Sequence, residues 1–222
     1  MTRIAVVGGH GQIARLLHPQ LLAAGHEPVA LVRREEQAEA LRAEGVTTRH
    51  LDIEADDEAG FAAAFEGCGA VVFAAGGGAD GDIERKRTVD LQGSTKSIVG
   101  ARDAGVRRFV QISAIGVDDP LPADTQDVWR AYVEAKRDAD LALRESGLDW
   151  TILRPGRLTD DPATGRVALG VDVERGEVTR ADVAAVVAAA LDDDRTIGRQ
   201  WNLVGGELDV PAAIDEALSS ER

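Results

Sequence analysis

The chain has 222 residues and a formal net charge of −14 at pH 7, with Cys68 as its single cysteine. The length suits one domain, residues 1–222, and the acidity disfavours a surface that follows nucleic-acid phosphates or binds anionic lipid. One cysteine excludes an intrachain disulfide and a thiolate metal cluster, and no apolar run approaches the roughly 18 residues of a membrane helix. We expect a soluble cytoplasmic protein with no nucleic-acid or membrane partner.

Short β-branched segments alternate along the chain with longer segments of helical period. The predicted strands span 4–7, 29–32, 46–51, 70–74, 108–112, 150–153 and 200–204, with a further short run at 167–173. The predicted helices span 11–24, 35–44, 57–66, 83–104, 127–146, 181–191 and 210–218. The strands lack polar alternation, which indicates a parallel sheet covered on both faces. The pattern predicts a doubly wound α/β fold of the Rossmann type with a mainly parallel sheet.

Some glycines follow directly after predicted helices: Gly25, Gly45, Gly67, Gly105 and Gly147. A left-handed backbone often ends a helix at this position, and glycine adopts it without steric penalty. We predict a structural role as helix C-caps for all of them.

A glycine-rich turn joins the first strand to the first helix. Gly8 can supply the tight turn, Gly11 lets the backbone approach phosphate oxygens, and Ala14 is small enough for the helix to pack on the sheet. The start of the helix offers unpaired N–H groups and a partial positive charge. An ordinary strand-to-helix turn is the alternative. The predicted site for a dinucleotide pyrophosphate comprises Gly8, Gly9, His10, Gly11, Gln12 and Ile13.

Two arginines, Arg33 and Arg34, close the second strand about 20 residues beyond the glycine turn, where NAD sites usually carry an acid. Guanidinium groups match phosphate geometry, so the pair predicts a 2′-phosphate and a preference for NADP(H) over NAD(H). The alternative is a pair of solvated basic residues beside Glu35 and Glu36.

The ends of the third and fourth strands complete the predicted cofactor site. Asp52 can meet the adenine edge, although a turn or capping role is the alternative. The loop of Ala74, Ala75 and Gly76 emerges at the carboxyl end of its strand, where ligands of open α/β sheets bind, and is predicted to pass the cofactor ribose. A merely flexible loop is the other interpretation.

Tyr132 and Lys136 lie four residues apart in a predicted helix and therefore share one face. A neighbouring ammonium favours the phenolate form of a tyrosine, which makes the pair a candidate for acid–base catalysis. Ser113 ends the fifth strand and can hydrogen-bond a substrate oxygen beside the phenol. An ordinary amphipathic helix with a surface lysine is the alternative.

Taken together, these motifs resemble the short-chain dehydrogenases/reductases, in particular the compact atypical branch of NAD(P)H-binding proteins that includes NmrA-like and biliverdin/flavin-reductase-like members. The resemblance covers nearly the whole chain. It rests on Gly8-x-x-Gly11-x-x-Ala14, Ala74-Ala75-Gly76, Ala104 to Val110 leading to Ser113, Tyr132-x-x-x-Lys136, and Leu153-Arg154-Pro155-Gly156.

The resemblance implies roles for individual residues. Ser113 would orient the substrate carbonyl, Tyr132 would transfer its proton, and Lys136 would hold the nicotinamide ribose. Pro155, in the turn beside the sixth strand, would lie near the nicotinamide.

We expect an NADP-dependent oxidoreductase that transfers a hydride to or from a small carbonyl, quinone-like or sugar-derived substrate. One alternative is a regulatory protein that senses NADP without chemistry. Another is an epimerase or dehydratase that oxidises its substrate transiently. The tail after Leu153 is too short for a full substrate domain, so segments 114–128 and 155–178 are predicted to form the substrate side.

Histidines give no sign of a metal site. His10, His18, His26 and His50 fall in no ligand spacing, and we expect no metal. His10 lies in the glycine-rich turn, and we predict that the other three lie on the surface or at strand ends.

Overall fold

A computed structural model describes residues 1–78 and 81–221. Its strands are β1 (Arg3–Val7), β2 (Glu27–Val32), β3 (Thr47–His50), β4 (Ala70–Phe73), β5 (Arg108–Ile112), β6 (Asp149–Pro155), β7 (Arg157–Thr159), β8 (Arg166–Gly170), β9 (Glu177–Thr179), β10 (Arg199–Gly205) and β11 (Leu208–Asp209). The helices are α1 (Gln12–Ala23), α2 (Glu35–Ala43), α3 (Glu58–Phe65), α4 (Ile83–Arg85), α5 (Gly93–Asp103), α6 (Asp127–Arg144), α7 (Arg180–Leu191) and α8 (Val210–Ser220).

Nine strands form the central sheet, in the order β11-β8-β10-β6-β5-β4-β1-β2-β3. From β10 to β3 every neighbouring pair is parallel, and β8 pairs antiparallel with β10 and β11 at one edge. The predicted doubly wound Rossmann-type fold is confirmed.

Alternate residues of β1 enter two different cores, which explains why this strand shows no polar alternation. Ile4 and Val6 belong to one cluster with residues of α1, α7 and α8. Ala5 and Val7 belong to the other, with residues of α3 and α5. The sheet is thus covered by helices on both faces, as the sequence predicts.

The helix predicted over 83–104 is interrupted. It begins as the short α4, continues as a π-helical segment over Lys86–Gln92, and becomes regular again in α5. A π-helix widens the turn and often occurs at functional sites. In this chain the widened segment carries Asp90, whose contacts are described below.

The five C-cap glycines all have positive φ angles, between 71° and 82°, which confirms their predicted role. β7, in segment 155–178, pairs with β9, at the end of that segment, as a separate parallel two-stranded sheet that the sequence did not predict. These strands have three residues each, too few for a periodic pattern.

Candidate functional site

The strand order reverses between β1 and β4, and the loops after these two strands meet there. The Ala74 N–H donates to the Val7 carbonyl at 3.1 Å. A cleft of about 280 Å³, which we call the β1–β4 cleft, opens at the carboxyl ends of the strands. In open α/β sheets ligands bind at this kind of crevice.

Much of the predicted cofactor site lines the β1–β4 cleft. The predicted residues on its wall are Gly8, His10, Gly11, Arg33, Asp52, Ala74, Ala75 and Gly76. The wall also contains Gln37 of α2 and Glu54, which the sequence analysis did not single out. No motif marks these two residues, and only the fold brings them to the cleft.

The glycine turn is packed too closely for side chains. Gly8 has φ +76°, and a Cβ on it would lie 2.8 Å from Ala75 Cα. A Cβ on Gly9 would lie 2.7 Å from Ala30 Cβ of β2. Gly11 donates its N–H to the Gly8 carbonyl at 2.8 Å and is the N-cap of α1, where no side chain caps the helix.

Because the N-terminus of α1 has no side-chain cap, the backbone N–H groups of Gln12 and Ile13 remain available to an anion. Next to a glycine turn that admits no Cβ, this donor set fits the pyrophosphate of a dinucleotide. The side chains of these two residues differ in placement: Gln12 is exposed, whereas Ile13 packs in the core.

His18 is buried within α1, so the prediction that it lies on the surface or at a strand end is wrong. It is 1% exposed, and its Nε2 lies 2.7 Å from the Gly9 carbonyl oxygen. The helical period does indicate that His18 is buried. His18 comes four residues after Ala14 and three before Leu21, both of which are buried on the same face of α1.

The two arginines after β2 have different positions. Arg33 lines the β1–β4 cleft, with its guanidinium 3.9 Å from Asp52 and 3.7 Å from Glu54. Arg34 is the exposed N-cap residue of α2, and its backbone N–H donates to the Gln37 side chain at 3.3 Å. Asp52 accepts backbone N–H bonds from residues 54 and 55, so it forms a turn as well as lining the cleft.

Asp90 connects the loop after β4 to α6. It is 1% exposed; one carboxylate oxygen accepts the Gly77 N–H at 2.9 Å, and the other lies 3.1 Å from Nζ of Lys136. Lys136 also donates to the Ile112 carbonyl at 3.2 Å. No sequence motif marks Asp90, because its partner Lys136 lies 46 positions further along the chain and only the fold brings the two together.

The only tyrosine of the chain, Tyr132, lies on α6 one turn before Lys136, and Trp129 stacks on its ring at 5.2 Å between centroids. Burial raises the pKa of the Tyr132 phenol above its ordinary value, although the charge of Lys136 acts to lower it. For Lys136, burial works to lower the pKa, but Asp90 beside it raises the pKa above its ordinary value. The ammonium therefore does act to lower the pKa of the phenol, as predicted, but burial raises that pKa by more.

Comparison with known proteins identifies the family. The family model described as NAD(P)H-binding matches residues 8–194. The chain belongs to this family. It is similar to the uncharacterized sugar epimerase YhfK of Bacillus subtilis, at 37% identity over 217 residues, 96% of this chain and 98% of that protein.

Solved structures similar to this chain support the same family assignment. One from Bacillus halodurans, provisionally named an NAD-dependent epimerase/dehydratase, has a TM-score of 0.89 and 37% identity, covering 97% of this chain and 100% of its own. The oxidoreductase ylbE of Lactococcus lactis has a TM-score of 0.86 and 27% identity, covering 98% and 97%. The resemblance to the compact atypical short-chain dehydrogenases/reductases is confirmed.

In this member of the NAD(P)H-binding family, Ser113 takes part in a buried polar network. Its hydroxyl donates to Asp140 at 2.8 Å, and Asp140 also accepts from Gln111 at 2.7 Å and from Arg154 at 2.9 Å. Arg154 in turn reaches Asp118 at 2.6 Å. These contacts fix the Ser113 hydroxyl at the end of β5, with its proton directed to a carboxylate.

The predicted substrate-side segments, 114–128 and 155–178, contact each other. Buried Pro155 ends β6, and its carbonyl accepts the Ile115 N–H at 3.0 Å. Arg175 reaches Asp119 at 2.8 Å. The two segments therefore meet beside the end of β6, adjacent to Ser113 at the end of β5.

Within residues 1–78 and 81–221, no helix is long and apolar enough to cross a membrane. The same residues contain no group of three or more His, Cys, Asp or Glu side chains placed to hold a metal ion.

Proposed function

We propose that the chain is an NADP(H)-dependent oxidoreductase that transfers a hydride to or from a small carbonyl or quinone-like substrate. One observation carries the proposal: buried Asp90 holds both Gly77, in the loop that borders the β1–β4 cleft, and Lys136 of α6. The candidate cofactor site and the candidate catalytic helix are thereby tied together through one carboxylate.

Several groups would hold the cofactor. The N–H groups at the start of α1 and the turn of Gly8 and Gly11 suit the pyrophosphate. Arg33 lies on the cleft wall, where its guanidinium suits a 2′-phosphate, and this supports NADP(H) over NAD(H). Lys136 would serve the nicotinamide ribose. When bound, the reduced nicotinamide supplies the hydride.

Tyr132 is suited to give a proton rather than to take one. Its raised pKa keeps the phenol protonated at neutral pH, and this is the form that a carbonyl oxygen needs when a hydride arrives at its carbon. The ammonium of Lys136 stabilises the phenolate that remains after the transfer. In the reductive direction, the phenol would give its proton to the substrate oxygen.

Trp129 supports a planar substrate. It is 49% exposed although it is large and apolar, and its stacking on Tyr132 places an open aromatic surface beside the candidate proton donor. Flat conjugated rings such as quinones stack favourably on such a surface.

Turnover with NADPH tests the proposal. Reduced cofactor carrying deuterium at C4 is incubated with a panel of carbonyls, quinones and flavins. We expect NADPH oxidation with at least one member and deuterium in the product wherever the hydride goes to carbon. Tight NADPH binding without oxidation by any member would contradict the proposal.

A second candidate, an epimerase, is favoured by the name of the Bacillus subtilis relative, which is 37% identical. An epimerase that oxidises its substrate transiently restores its cofactor in each cycle, so a sugar would be converted with no net change in the oxidised or reduced cofactor. The third, a sensor of NADP, is favoured by the internal partner of Ser113, because that hydroxyl already donates to Asp140. A sensor would bind NADPH and show no turnover.

A further inference from the structure

His18 lies directly beneath the glycine turn. Its Nε2 faces the Gly9 carbonyl oxygen at 2.7 Å. A carbonyl only accepts hydrogen bonds, so Nε2 carries the proton and donates it. The other ring nitrogen, Nδ1, is buried and has no hydrogen-bond partner in the described part of the chain. The site therefore accommodates the neutral imidazole with its proton on Nε2.

Both polar backbone groups of Gly9 are held. Its N–H donates to the Leu31 carbonyl of β2 at 3.0 Å, and its carbonyl accepts from His18 of α1. Gly9 also packs closely on β2, because a Cβ on it would lie only 2.7 Å from Ala30 Cβ. Gly9 is thus fixed between a strand and a helix.

Fixing the Gly9 carbonyl also fixes the N–H of His10. A peptide unit is planar and trans, so its C=O and N–H point in opposite directions. Since the carbonyl points at His18, the His10 N–H points away from that side chain. It finds no acceptor within residues 1–78 and 81–221, and His10 itself lines the β1–β4 cleft.

We infer that His18 is a positioning residue for the cofactor, which keeps the Gly9 carbonyl turned inward so that the His10 N–H binds the pyrophosphate. This inference rests on the cofactor binding of the NAD(P)H-binding family. If the peptide between Gly9 and His10 turned over, a carbonyl oxygen with partial negative charge would face the phosphate oxygens instead. The hydrogen bond from His18 opposes that arrangement.

Two variants of His18 separate the hydrogen bond from simple packing. His18→Leu fills the space without a donor, whereas His18→Gln retains an N–H at similar reach. We expect the Leu variant to raise the Kd for NADPH about tenfold or more in calorimetry at pH 7.5, and the Gln variant to stay close to wild type. His26→Gln is the control, since His26 contacts Asp192 at 2.7 Å and takes no part in the cleft.

Wild-type affinity in folded His18→Leu, or equal losses in the Leu and Gln variants, would overturn the inference. If the wild-type protein did not bind NADPH at all, the cofactor site itself would be refuted.

Nitrogen NMR of the histidine rings tests the same contact in the unmodified protein, in case His18→Leu does not fold. Burial lowers the pKa of His18, with His10 acting in the same direction and the Gly9 carbonyl and Glu44 opposing. We therefore expect the neutral Nε2–H form to persist below pH 6.5, the ordinary value for histidine. We also expect NADPH to shift the His10 amide resonance. A neutral form with the proton on Nδ1, or a His10 amide that does not respond to bound NADPH, would overturn the inference.

Discussion

The two halves of the site use different parts of the chain. The cofactor half, formed by the turns after β1, β2 and β4, relies on backbone groups and on glycines that admit no Cβ. The substrate half, formed by the ends of β5 and β6 with α6, relies on buried polar side chains such as Asp140 and Lys136 that already have protein partners. The cofactor half therefore has free N–H donors before any ligand arrives, whereas the substrate half is ordered by its own hydrogen bonds.

The largest effect is expected in the cofactor half. Gly11→Val would place a branched Cβ 3.1 Å from the Gly8 carbonyl and at the cleft wall, where it excludes the pyrophosphate. Losing about two charge-assisted hydrogen bonds costs roughly 3–6 kcal/mol of binding free energy, so NADPH binding should become undetectable by calorimetry. Leu16→Val, on the exposed face of α1, is the control. Unchanged affinity in a folded Gly11→Val protein would contradict the pyrophosphate site.

Tyr132→Phe tests the substrate half. Removing the proton donor should lower kcat for reduction by roughly 10²–10⁴-fold while the Kd for NADPH stays unchanged. Because burial raises the pKa of Tyr132 above about 10, kcat of the wild type should stay level through neutral pH and decline only in more alkaline solution. Wild-type kcat in Tyr132→Phe would exclude the phenol from the chemistry.

The buried pair of Lys136 and Asp90 links the two halves, and its disruption should affect both. Lys136→Met leaves Asp90 buried without its cation, which costs roughly 3–5 kcal/mol of the free energy of unfolding in urea denaturation. Both turnover and cofactor affinity should fall as well. The double variant Asp90→Asn, Lys136→Met should be more stable than the sum of the single changes predicts. Strict additivity would show that the 3.1 Å contact has no energetic weight.

The smallest expected effect concerns the choice of cofactor. Arg33→Ala should reduce the preference for NADPH over NADH by roughly 10–150-fold, equivalent to one charge-assisted contact of about 1.5–3 kcal/mol. Arg34→Ala is the matched control, because Arg34 does not appear on the cleft wall within the described residues. Equal affinities for the two cofactors in the wild type, measured by calorimetry, would contradict the proposed NADP(H) preference.

The features that could be predicted from the sequence are those that depend on residues near one another in the chain. Buried strands, helix-ending glycines and the turn of Gly8 and Gly11 each depend on residues close together in the chain, and the structure has them where the pattern indicates. The pairing of Asp90 with Lys136 depends on the packing of two distant segments and on a π-helical turn that no composition marks. His18 lies between these cases: the helical period places it on the buried face, but its contact with the Gly9 carbonyl requires the fold.

A crystal structure with NADP(H) bound tests most directly whether the two halves form one active site. We expect the pyrophosphate at the N-terminus of α1, the 2′-phosphate on Arg33, and the nicotinamide ring beside Tyr132, with Lys136 on its ribose. A nicotinamide far from the Tyr132 hydroxyl, with Lys136 out of reach of the ribose, would contradict the catalytic assignment and leave only a cofactor-binding protein.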